Sequence, residues 1–466
     1  MKTIFICIST TDVYRNLMFF PGSFFDKIIT ALENDKNLRV VFVAREKDKV
    51  RYGVHLMPRV SHLKDQVILE TVPYSESYTH IQKIFMFFYS YFIYTGTTRM
   101  LATIGMRAED APGSARKSLG ALKFLISRTF GRSKLIKTKL VPLLYNLVFK
   151  ERSFKEIFDK YKPDVVFLPS LFCKFDMKLL REAKEEKVKT IGMVSNWDHF
   201  DKYYLPMHVD TVLAQSEQVK NFAIKFQAYN PEEISIVGFP HFDFITNNQH
   251  ATSRGEILKS LEFFENSKYI VYISGSMSCP DEPDIIEKIL QWIDEGKFGD
   301  VRLVIRPYPG VRGKDIAFDE KKFEGFKKHP KVSFYMDKFW GDLEKSIYFV
   351  NLMRHADIII AIYSTAALEA VALNRPVITA SFDGYSNRPY NRSVKRFEIR
   401  DHFRDVIQTK AIRKTESFDE LFDSIKLYLK DPSSDQDKRE ILQKKILYKI
   451  DGKSSERVFN HLMSEL

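Results

Sequence analysis

Runs of apolar residues, many of them β-branched, recur along this chain with helical stretches between them. They occupy residues 3–9, 39–44, 66–72, 164–169, 189–195, 210–215, 269–276, 301–307, 331–336, 357–364 and 376–380. The runs are apolar nearly throughout rather than alternating with polar residues, as is typical of strands covered by helices on both faces. The pattern therefore predicts an α/β protein with two doubly wound, Rossmann-like domains.

The best domain boundary lies near residue 240, where an apolar run ends in Gly238-Phe239-Pro240 and gives way to a polar stretch. We expect a first domain over 1–240 and a second over 241–416. The two domains should face each other across a cleft, because open parallel sheets bind ligands at the carboxyl ends of their strands. Residues 417–466 are expected to form charged helices that pack back on the first domain.

Residues 77–152 fit this pattern badly and are expected to form a basic, aromatic helical insertion. The net charge of the whole chain is +12, and residues 83–155 alone carry fourteen Lys and Arg against three acidic residues. The aromatic run at 84–94 is far shorter than the ~20 residues that span a bilayer. A basic amphipathic helix in the membrane interface has this composition, although a core helix with a solvated basic face is the alternative. The predicted membrane contacts are Phe85, Phe87, Phe88, Tyr91, Phe92, Arg116, Lys117, Lys123 and Arg128.

The cysteines and the N-terminus favour a cytoplasmic protein. Cys7, Cys173 and Cys279 lie far apart and form no CxxC pair or zinc-site spacing. The N-terminal apolar run breaks into Thr-Thr-Asp, which is too short for a signal peptide. Nucleic acid is not an expected partner, because the signatures of nucleic-acid-binding folds are missing from the sequence.

The strongest local pattern is an apolar strand that turns at Tyr363-Ser364-Thr365 into a short helix ending before Asn374-Arg375-Pro376. Ser364 and Thr365 would lie at the helix N-terminus, where free N–H groups and the helix dipole favour a phosphate. Glu369 follows Thr365 by one helical turn, so its carboxylate is suited to a ribose diol. A capped helix with an exposed Glu is the alternative interpretation.

This segment resembles the nucleotide-binding helix of GT-B glycosyltransferases. In particular, it resembles the branch containing bacterial surface-polysaccharide transferases, CDP-glycerol glycerophosphotransferases and non-hydrolysing UDP-GlcNAc 2-epimerases. Five segments distributed across residues 160–385 are similar to that branch: SNWDHFDK (195–202), VGFPHFD (237–243), YISGSMSCPDEPDI (272–285), VIRPYPG (304–310) and DLEKSIYFVNLMRHADIIIAIYSTAALEA (342–370).

The resemblance implies that the second domain binds a nucleotide-sugar donor and the first binds the acceptor. Arg306 would offset charge on the leaving diphosphate, and Tyr308 stands where the family usually has His. The implied donor-binding residues are Ser274, Gly275, Ser276, Arg306, Tyr308, Ser364, Thr365 and Glu369. No DxD motif ends a strand, so no metal and no cofactor are expected beyond a nucleotide-sugar substrate of the UDP or CDP/CMP type.

An inverting transfer needs a general base to take the proton of the acceptor hydroxyl. The strand at 189–195 delivers Asp198 and His199 to the carboxyl edge of the first sheet. Asp198 is the first candidate for the base and His199 the second. Alternatively, Asp198 caps a helix and His199 fills a surface pocket.

The sequence thus predicts a metal-independent, inverting glycosyltransferase that moves a sugar onto a lipid-linked or growing cell-surface glycan. Such an enzyme would lie on the inner face of the cell membrane, held by anionic lipid. A CDP-glycerol-type glycerophosphotransferase is the alternative in the same fold. A 2-epimerase is a further alternative, but it would not need the basic insertion, and it requires several acids in the first domain.

Overall fold

The computed structural model describes residues 1–75, 77–89, 92–101, 117–308, 313–335 and 342–466, with backbone only for residues 117–120 and 313–317. The chain divides into two compact units. One comprises Met1–Thr98, Ala121–Phe244 and Asp451–Leu466, and the other comprises Ile245–Ile450 with the described residues of 99–120. Each unit is built around one parallel sheet.

The first sheet has seven strands, which pair in the order β3-β2-β1-β4-β5-β6-β7. Each adjacent pair is parallel. The strands are β1 (Lys2–Ile8), β2 (Leu38–Arg45), β3 (Val67–Val72), β4 (Val165–Leu168), β5 (Lys189–Met193), β6 (Thr211–Ala214) and β7 (Ile234–Ile236).

The second sheet has six strands in the order β10-β9-β8-β11-β12-β13, again all parallel. Its strands are β8 (Lys268–Ile273), β9 (Val301–Arg306), β10 (Val332–Phe334), β11 (Ile358–Ala361), β12 (Val377–Ala380) and β13 (Ile412–Thr415). Both sheets reverse their strand order at one internal pair, so the predicted pair of doubly wound domains is confirmed.

Helices fill the connections between the strands, along with short 3-10 and π turns. Those of the first half are α1 (Thr11–Tyr14), α2 (Phe24–Asn34), α3 (Lys49–His55), α4 (His80–Tyr89), α5 (Gly96–Arg99), α6 (Lys117–Arg128), α7 (Val141–Val148), α8 (Lys155–Tyr161), α9 (Lys174–Glu185), α10 (His199–Lys202), α11 (Glu217–Phe222) and α12 (Pro240–Thr246).

Those of the second half are α13 (Arg254–Ser260), α14 (Glu282–Asp294), α15 (Gly313–Lys322), α16 (Leu343–His355), α17 (Thr365–Ala372), α18 (Asp401–Thr409), α19 (Phe418–Lys430), α20 (Gln436–Leu442) and α21 (Ser454–Met463).

The core of each unit lies between its sheet and amphipathic helices. In α2, Phe24, Ile28 and Leu32 recur at the four-residue spacing of one helix face, and all three are fully buried against the first sheet. In α14, Ile286 and Ile289 are buried in the same way against the second sheet. Burial of these stripes is what fixes the helices in place, since a fully buried Ile, Leu or Phe side chain contributes about 1.5–3 kcal/mol.

The structure divides the C-terminal segment that the sequence assigned as a whole to the first domain. Helix α21 packs there, with Val458 and Leu462 buried in the first core. Helix α19 instead packs on the second sheet, where Leu421 and Ile425 are buried. The apolar face of α19 explains this packing. It extends an aromatic cluster in which the ring centres of Phe422 and Trp292 are 5.1 Å apart.

Candidate active site

The carboxyl edge of the second sheet brings together the loops predicted to bind phosphate. β8 and β11 are the pair at which the strand order reverses, and such a pair leaves a crevice for a ligand. Residues 274–276 follow β8, and residues 363–365 follow β11. The two loops touch, since a Cβ on Gly275 would lie 2.7 Å from Ile362 Cδ1. Only glycine permits this approach without displacing Ile362.

The loop after β8 is held by a carboxylate that sequence reasoning missed. The hydroxyl of Ser274 and the N–H of Gly275 both donate to Glu282, at 2.9 and 2.8 Å. The Ser274 hydroxyl oxygen in turn accepts the N–H of Ser276 at 2.9 Å. Two of the groups proposed to meet a phosphate are therefore already bonded within the loop. Their role is to shape it.

Lys322, at the end of α15, completes this loop. Its ammonium lies 2.7 Å from a Glu282 oxygen and 3.2 Å from an Asp319 oxygen, and it also donates to the carbonyl of Ser276. All three charged side chains are almost wholly buried. Burial disfavours the ammonium, but the two carboxylates outweigh that cost and raise the pKa of Lys322 above its ordinary value. The sequence "FDEKK" looked like an exposed helix end, so no signal in it marked a buried cluster.

The turn after β11 begins helix α17 as predicted. Ser364 is the N-cap residue in an extended conformation, and its hydroxyl is buried without a hydrogen bond to any described residue. The N–H groups of the first turn, the positive end of the helix dipole and the Ser364 hydroxyl therefore lie together at this point. Thr365 and Glu369 lie one turn apart on the same helix, and both are partly buried.

Two further residues fix this turn and had no sequence signal. Arg400 donates to the carbonyl of Tyr363 at 2.7 Å, and Glu398 accepts the Tyr363 hydroxyl at 3.0 Å. The same carboxylate accepts the hydroxyl of Ser381, after β12. The ends of β11 and β12 are thus joined by polar side chains.

Arg306 and Tyr308 lie at the end of β9, next to the β8 loop. The carbonyl of Arg306 accepts the Ser274 N–H at 3.0 Å, and its guanidinium lies 4.1 Å from the ring centre of Phe349 on α16. The N–H of Tyr308 donates to Asp319 at 2.6 Å, while its ring is 44% exposed. Arg306 therefore offers a positioned positive charge, whereas the phenol of Tyr308 faces solvent.

A cavity beside these loops does not suit a phosphate. Its lining includes Asp281, Glu282 and Asp383 together with apolar side chains such as Tyr272 and Phe382. Three carboxyl groups around one small space repel an anion.

The predicted base residues lie at the carboxyl edge of the first sheet. Asp198 precedes α10, with its carboxylate 3.9 Å from Nε2 of His199 and 3.7 Å from the Lys202 ammonium. The ring of His199 packs against Phe172 and Tyr203. Its Nδ1 is buried and has no hydrogen-bond partner among the described residues.

The protonation state of His199 follows from this setting. Burial lowers the pKa of His199 below its ordinary value of 6.5, and the nearby Asp198 and Asp12 carboxylates oppose that shift only in part. The imidazole is therefore neutral at pH 7 and able to accept a proton. The two predicted base candidates are neighbours, and the Asp12 carboxylate is a further charge that acts on His199.

The predicted membrane residues separate into two sets. Phe85 and Phe92 are partly buried and pack on the cluster of Ile93, Val141 and Tyr204. The reason is the helix period: Phe85 and Tyr89 are one turn apart and stack together, with ring centres 5.6 Å apart.

The outward set is larger than predicted. Phe87 is 41% and Phe88 50% exposed, and Arg128 is also exposed, whereas burial lowers the pKa of Lys123 to about 8. Tyr91, Arg116 and the side chain of Lys117 lie outside the described residues. More than half of the exposed large apolar side chains of the described chain lie within 81–147: Ile81, Ile84, Phe87, Phe88, Leu122, Phe124, Leu125, Phe130, Leu135, Leu140, Leu143, Leu144 and Leu147.

Among the described residues, no helix has both the length and the apolar character needed to cross a bilayer. The three cysteines are free thiols, of which Cys7 and Cys279 are buried.

Comparison with known proteins bears on the second half of the chain most directly. Residues 326–464, less than a third of the chain, match the family described as CDP-Glycerol:Poly(glycerophosphate) glycerophosphotransferase. This match includes α17 with Ser364, Thr365 and Glu369, and it also includes Arg400. No curated protein matches the sequence at a significant level.

Solved structures match over the whole chain. The UDP-GlcNAc 2-epimerase of Neisseria meningitidis bound to UDP-GlcNAc has a TM-score of 0.55 and 12% identity, with 100% of both chains covered. A putative UDP-N-acetylglucosamine 2-epimerase of Listeria monocytogenes has a TM-score of 0.54 and 12% identity, covering 100% of this chain and 96% of that one. Sucrose-phosphate synthase of Thermosynechococcus elongatus has a TM-score of 0.51 and 10% identity, with 100% of both chains covered.

At these identities the matches establish the fold. The motifs predicted this branch, and that prediction is confirmed: the chain has the two-Rossmann fold of GT-B glycosyltransferases and UDP-GlcNAc 2-epimerases, and it carries a domain similar to CDP-glycerol glycerophosphotransferases.

Proposed function

We propose that this protein is a metal-independent, inverting glycosyltransferase that transfers a sugar from a nucleotide-sugar to a lipid-linked or growing cell-surface glycan. The observation that carries the proposal is the switch point of the second sheet. There, the N-terminus of α17 and the uncommitted Ser364 hydroxyl stand beside an internally braced β8 loop. This is the combination that a diphosphate requires.

The donor would be held along its length by different groups. The diphosphate would lie against the first turn of α17, where N–H groups and the helix dipole offset its charge. Glu369 would accept hydrogen bonds from the ribose hydroxyls. Arg306 would stabilise the additional charge on the departing nucleoside diphosphate, as preorganised cationic and dipolar groups do in other transferases.

The transfer itself needs one base. The acceptor hydroxyl oxygen attacks the anomeric carbon while the bond from that carbon to the diphosphate oxygen breaks. The hydroxyl proton passes to the Asp198 carboxylate, or to the neutral imidazole of His199. Both side chains follow β5 at the edge where a doubly wound sheet binds its ligand.

A second candidate function is glycerophosphoryl transfer from CDP-glycerol. It is favoured by the family match over 326–464, which includes the proposed ribose and diphosphate contacts. In that reaction the acceptor oxygen attacks the phosphorus bearing glycerol, and CMP leaves. The same α17 and β8-loop groups would bind the donor, so the two reactions differ in the leaving group rather than in the nucleotide site.

The experiment is a thermal-shift panel of UDP, CDP, CMP, GDP and dTDP, since a ligand that binds only the native state raises the melting temperature. We expect one or two nucleoside diphosphates to stabilise the protein, and a panel without any shift would contradict the donor site. Product analysis then separates the candidates. Release of a nucleoside diphosphate indicates glycosyl transfer, release of CMP from CDP-glycerol indicates glycerophosphoryl transfer, and conversion of a nucleotide-sugar without acceptor indicates an epimerase.

We also propose that the enzyme meets its acceptor at the inner face of the cell membrane, as a peripheral protein. The support is the concentration of exposed apolar side chains in 81–147, interspersed with exposed basic residues such as Lys83, Arg128 and Lys139. Apolar side chains at the interface and cations near acidic headgroups act together, at about 1 kcal/mol per basic residue.

Liposome co-sedimentation tests this placement. We expect binding to phosphatidylglycerol vesicles, little binding to neutral vesicles, and partial release in high salt as the Debye length falls from about 10 Å to about 3 Å. The double variant Ile84→Ser/Phe88→Ser should lose binding. Phe264→Ser is the matched control, because Phe264 is 71% exposed in the other unit. If the control and the double variant bind equally, this surface is not the contact.

A further inference from the structure

One buried ion cluster joins the loops that follow β8 and β9. The Lys322 ammonium donates to the Ser274 hydroxyl at 3.1 Å and to the carbonyls of Ser276 and Cys279 at 3.1 and 3.4 Å. It also pairs with Glu282, which accepts from the Ser274 hydroxyl and the Gly275 N–H. Among the described residues, every hydrogen bond of this lysine other than those to the carboxylates is therefore with the β8 loop.

The second carboxylate of the cluster extends it to the neighbouring strand. Asp319 lies 3.2 Å from the Lys322 ammonium and accepts the N–H of Tyr308 at 2.6 Å. The side chain of Asp319 is fully buried. Lys322 and Asp319 are three residues apart on α15, so one helix end fixes the backbone after two adjacent strands.

The loop held in this way includes a strained residue. Ser276 has φ of 53°, in the left-handed region that a non-glycine residue adopts at a cost. Its N–H is bonded to the Ser274 hydroxyl and its carbonyl to Lys322. Without the ammonium, the carbonyl would keep only the Cys279 N–H as a donor, at 3.1 Å, and the strained conformation would lose the charged part of its support.

Charge burial of this kind is costly, and apolar side chains of similar size often stabilise a fold as well or better. A buried cluster with five hydrogen bonds to the β8 loop and one to the Tyr308 N–H therefore fits a role in setting the shape of the β8 loop. The loop is also the one that meets Ile362, directly before the Tyr363 turn that begins α17.

We propose that Lys322 is a positioning residue for the donor: with Glu282 and Asp319, it holds the loops after β8 and β9 in the arrangement that receives a nucleoside diphosphate. The inference rests on the proposed function, because it assumes that the donor binds at this edge. It adds a residue that does not itself touch the nucleotide. Loss of Lys322 should therefore weaken the binding of a nucleoside diphosphate and leave the binding of the free nucleoside almost unchanged.

The experiment compares the affinities of UDP with uridine, and of CDP with cytidine, by calorimetry on the full chain. Lys322→Met should weaken diphosphate binding at least tenfold and leave nucleoside binding within about threefold. The triple variant Lys322→Met/Glu282→Gln/Asp319→Asn also removes both partner carboxylates and so avoids an uncompensated buried charge. It should fold and show the same selective loss. Lys331→Met is the matched control, because Lys331 pairs with Asp294 in the same unit but outside the cluster.

Hydrogen exchange on the unaltered protein gives a second measurement. Adding the best diphosphate should increase protection in peptides covering residues 274–279. Unchanged exchange there would overturn the inference, as would a folded variant that keeps the wild-type ratio of diphosphate to nucleoside affinity. Equal losses for diphosphate and nucleoside would also overturn it, since they would indicate a purely structural lysine. If the unaltered protein binds none of these nucleotides, the donor site itself fails, which is a different result.

Discussion

The carboxyl edges of the two sheets differ in how their charged groups are satisfied. At the second sheet, Lys322 pairs with Glu282 and Asp319, and Arg388 pairs with Asp281. At the first sheet, the charges near His199 lie 3.7–3.9 Å apart, beyond hydrogen-bond distance. The ion cluster at the second edge is almost wholly buried, whereas the side chains of His199 and its charged neighbours at the first edge are 14–27% exposed.

A buried carboxyl group at the first edge makes the contrast stronger. Asp176 is fully buried near Ser9, Cys7 and Cys173, and no basic side chain among the described residues pairs with it. Burial raises the pKa of Asp176 to about 7. The second edge thus holds a buried ion cluster, while the first edge holds a buried carboxyl group with a raised pKa and an imidazole, that of His199, with a lowered pKa.

The largest expected effect concerns the base at the first edge. Asp198→Asn keeps the shape of the side chain and removes its basicity, so turnover should fall about 10²- to 10⁴-fold while the donor dissociation constant stays unchanged. Steady-state kinetics with the best donor of the panel measures this.

The pH dependence of turnover shows whether Asp198 or His199 is the general base. Because burial lowers the pKa of His199, a His199 base would keep activity down to pH values below about 6.5, and His199→Gln would abolish it. Turnover of Asp198→Asn within a few-fold of wild type would move the role to His199 or Asp12.

The next effect tests the unpaired carboxyl group. Between pH 3.8 and about 7, the unfolded chain has lost the Asp176 proton while the folded chain keeps it. The folded state then binds more protons, so this residue lowers stability as the pH rises through that window. As the pH rises from 4.5 to 7.5, the free energy of unfolding of Asp176→Asn should increase by about 2–4 kcal/mol relative to that of wild type. Urea unfolding measures this difference. A pH-independent difference would show that Asp176 ionises normally.

A smaller effect is expected at the second edge. Glu369→Ala removes the proposed hydrogen bonds to the ribose, each worth about 1.5–3 kcal/mol when charged, so nucleotide affinity should fall at least tenfold. Glu369→Gln keeps an acceptor oxygen and should lose less. Calorimetry with the best nucleotide decides between them, and an unchanged dissociation constant for the Ala variant would remove Glu369 from the donor site.

The last prediction is an absence of effect. If the helix dipole and Arg306 stabilise the leaving group, activity should be the same within about twofold in excess EDTA. Assays of enzyme dialysed against chelator, with and without added magnesium, measure this. A strict requirement for a divalent cation would show that the braced second edge does not suffice for a diphosphate.

Much of the fold could be predicted from the sequence, because continuous apolar runs indicate buried parallel strands. Eleven of the strands were predicted within a few residues of their ends. The two missed strands, Ile234–Ile236 and Ile412–Thr415, are short and partly polar. Each lies at the edge of its sheet, where one neighbour is absent and a continuous apolar run is not required.

The helix pattern around Ser364 and Glu369 was equally local. A strand, a Ser-Thr turn and a helix stop are encoded within about twenty residues, so both the element and its N-terminus were predicted. The sequence did not predict that Phe88 is exposed while Phe85 is partly buried. Both faces of α4 are apolar, and only the packing of Phe85 on the cluster that contains Tyr204 distinguishes the two residues.

The strands, the helices and the turn at Ser364-Thr365 could be predicted from the sequence, since each depends on residues close together in the chain. How the ends of the strands are braced became visible only in the folded structure. Lys322 is forty residues from Glu282, and Arg400 is thirty-seven residues from Tyr363. A charged residue in a helix has the same local pattern whether it faces water or a buried carboxylate. The difference arises only when the fold brings a partner to it and removes the water around both.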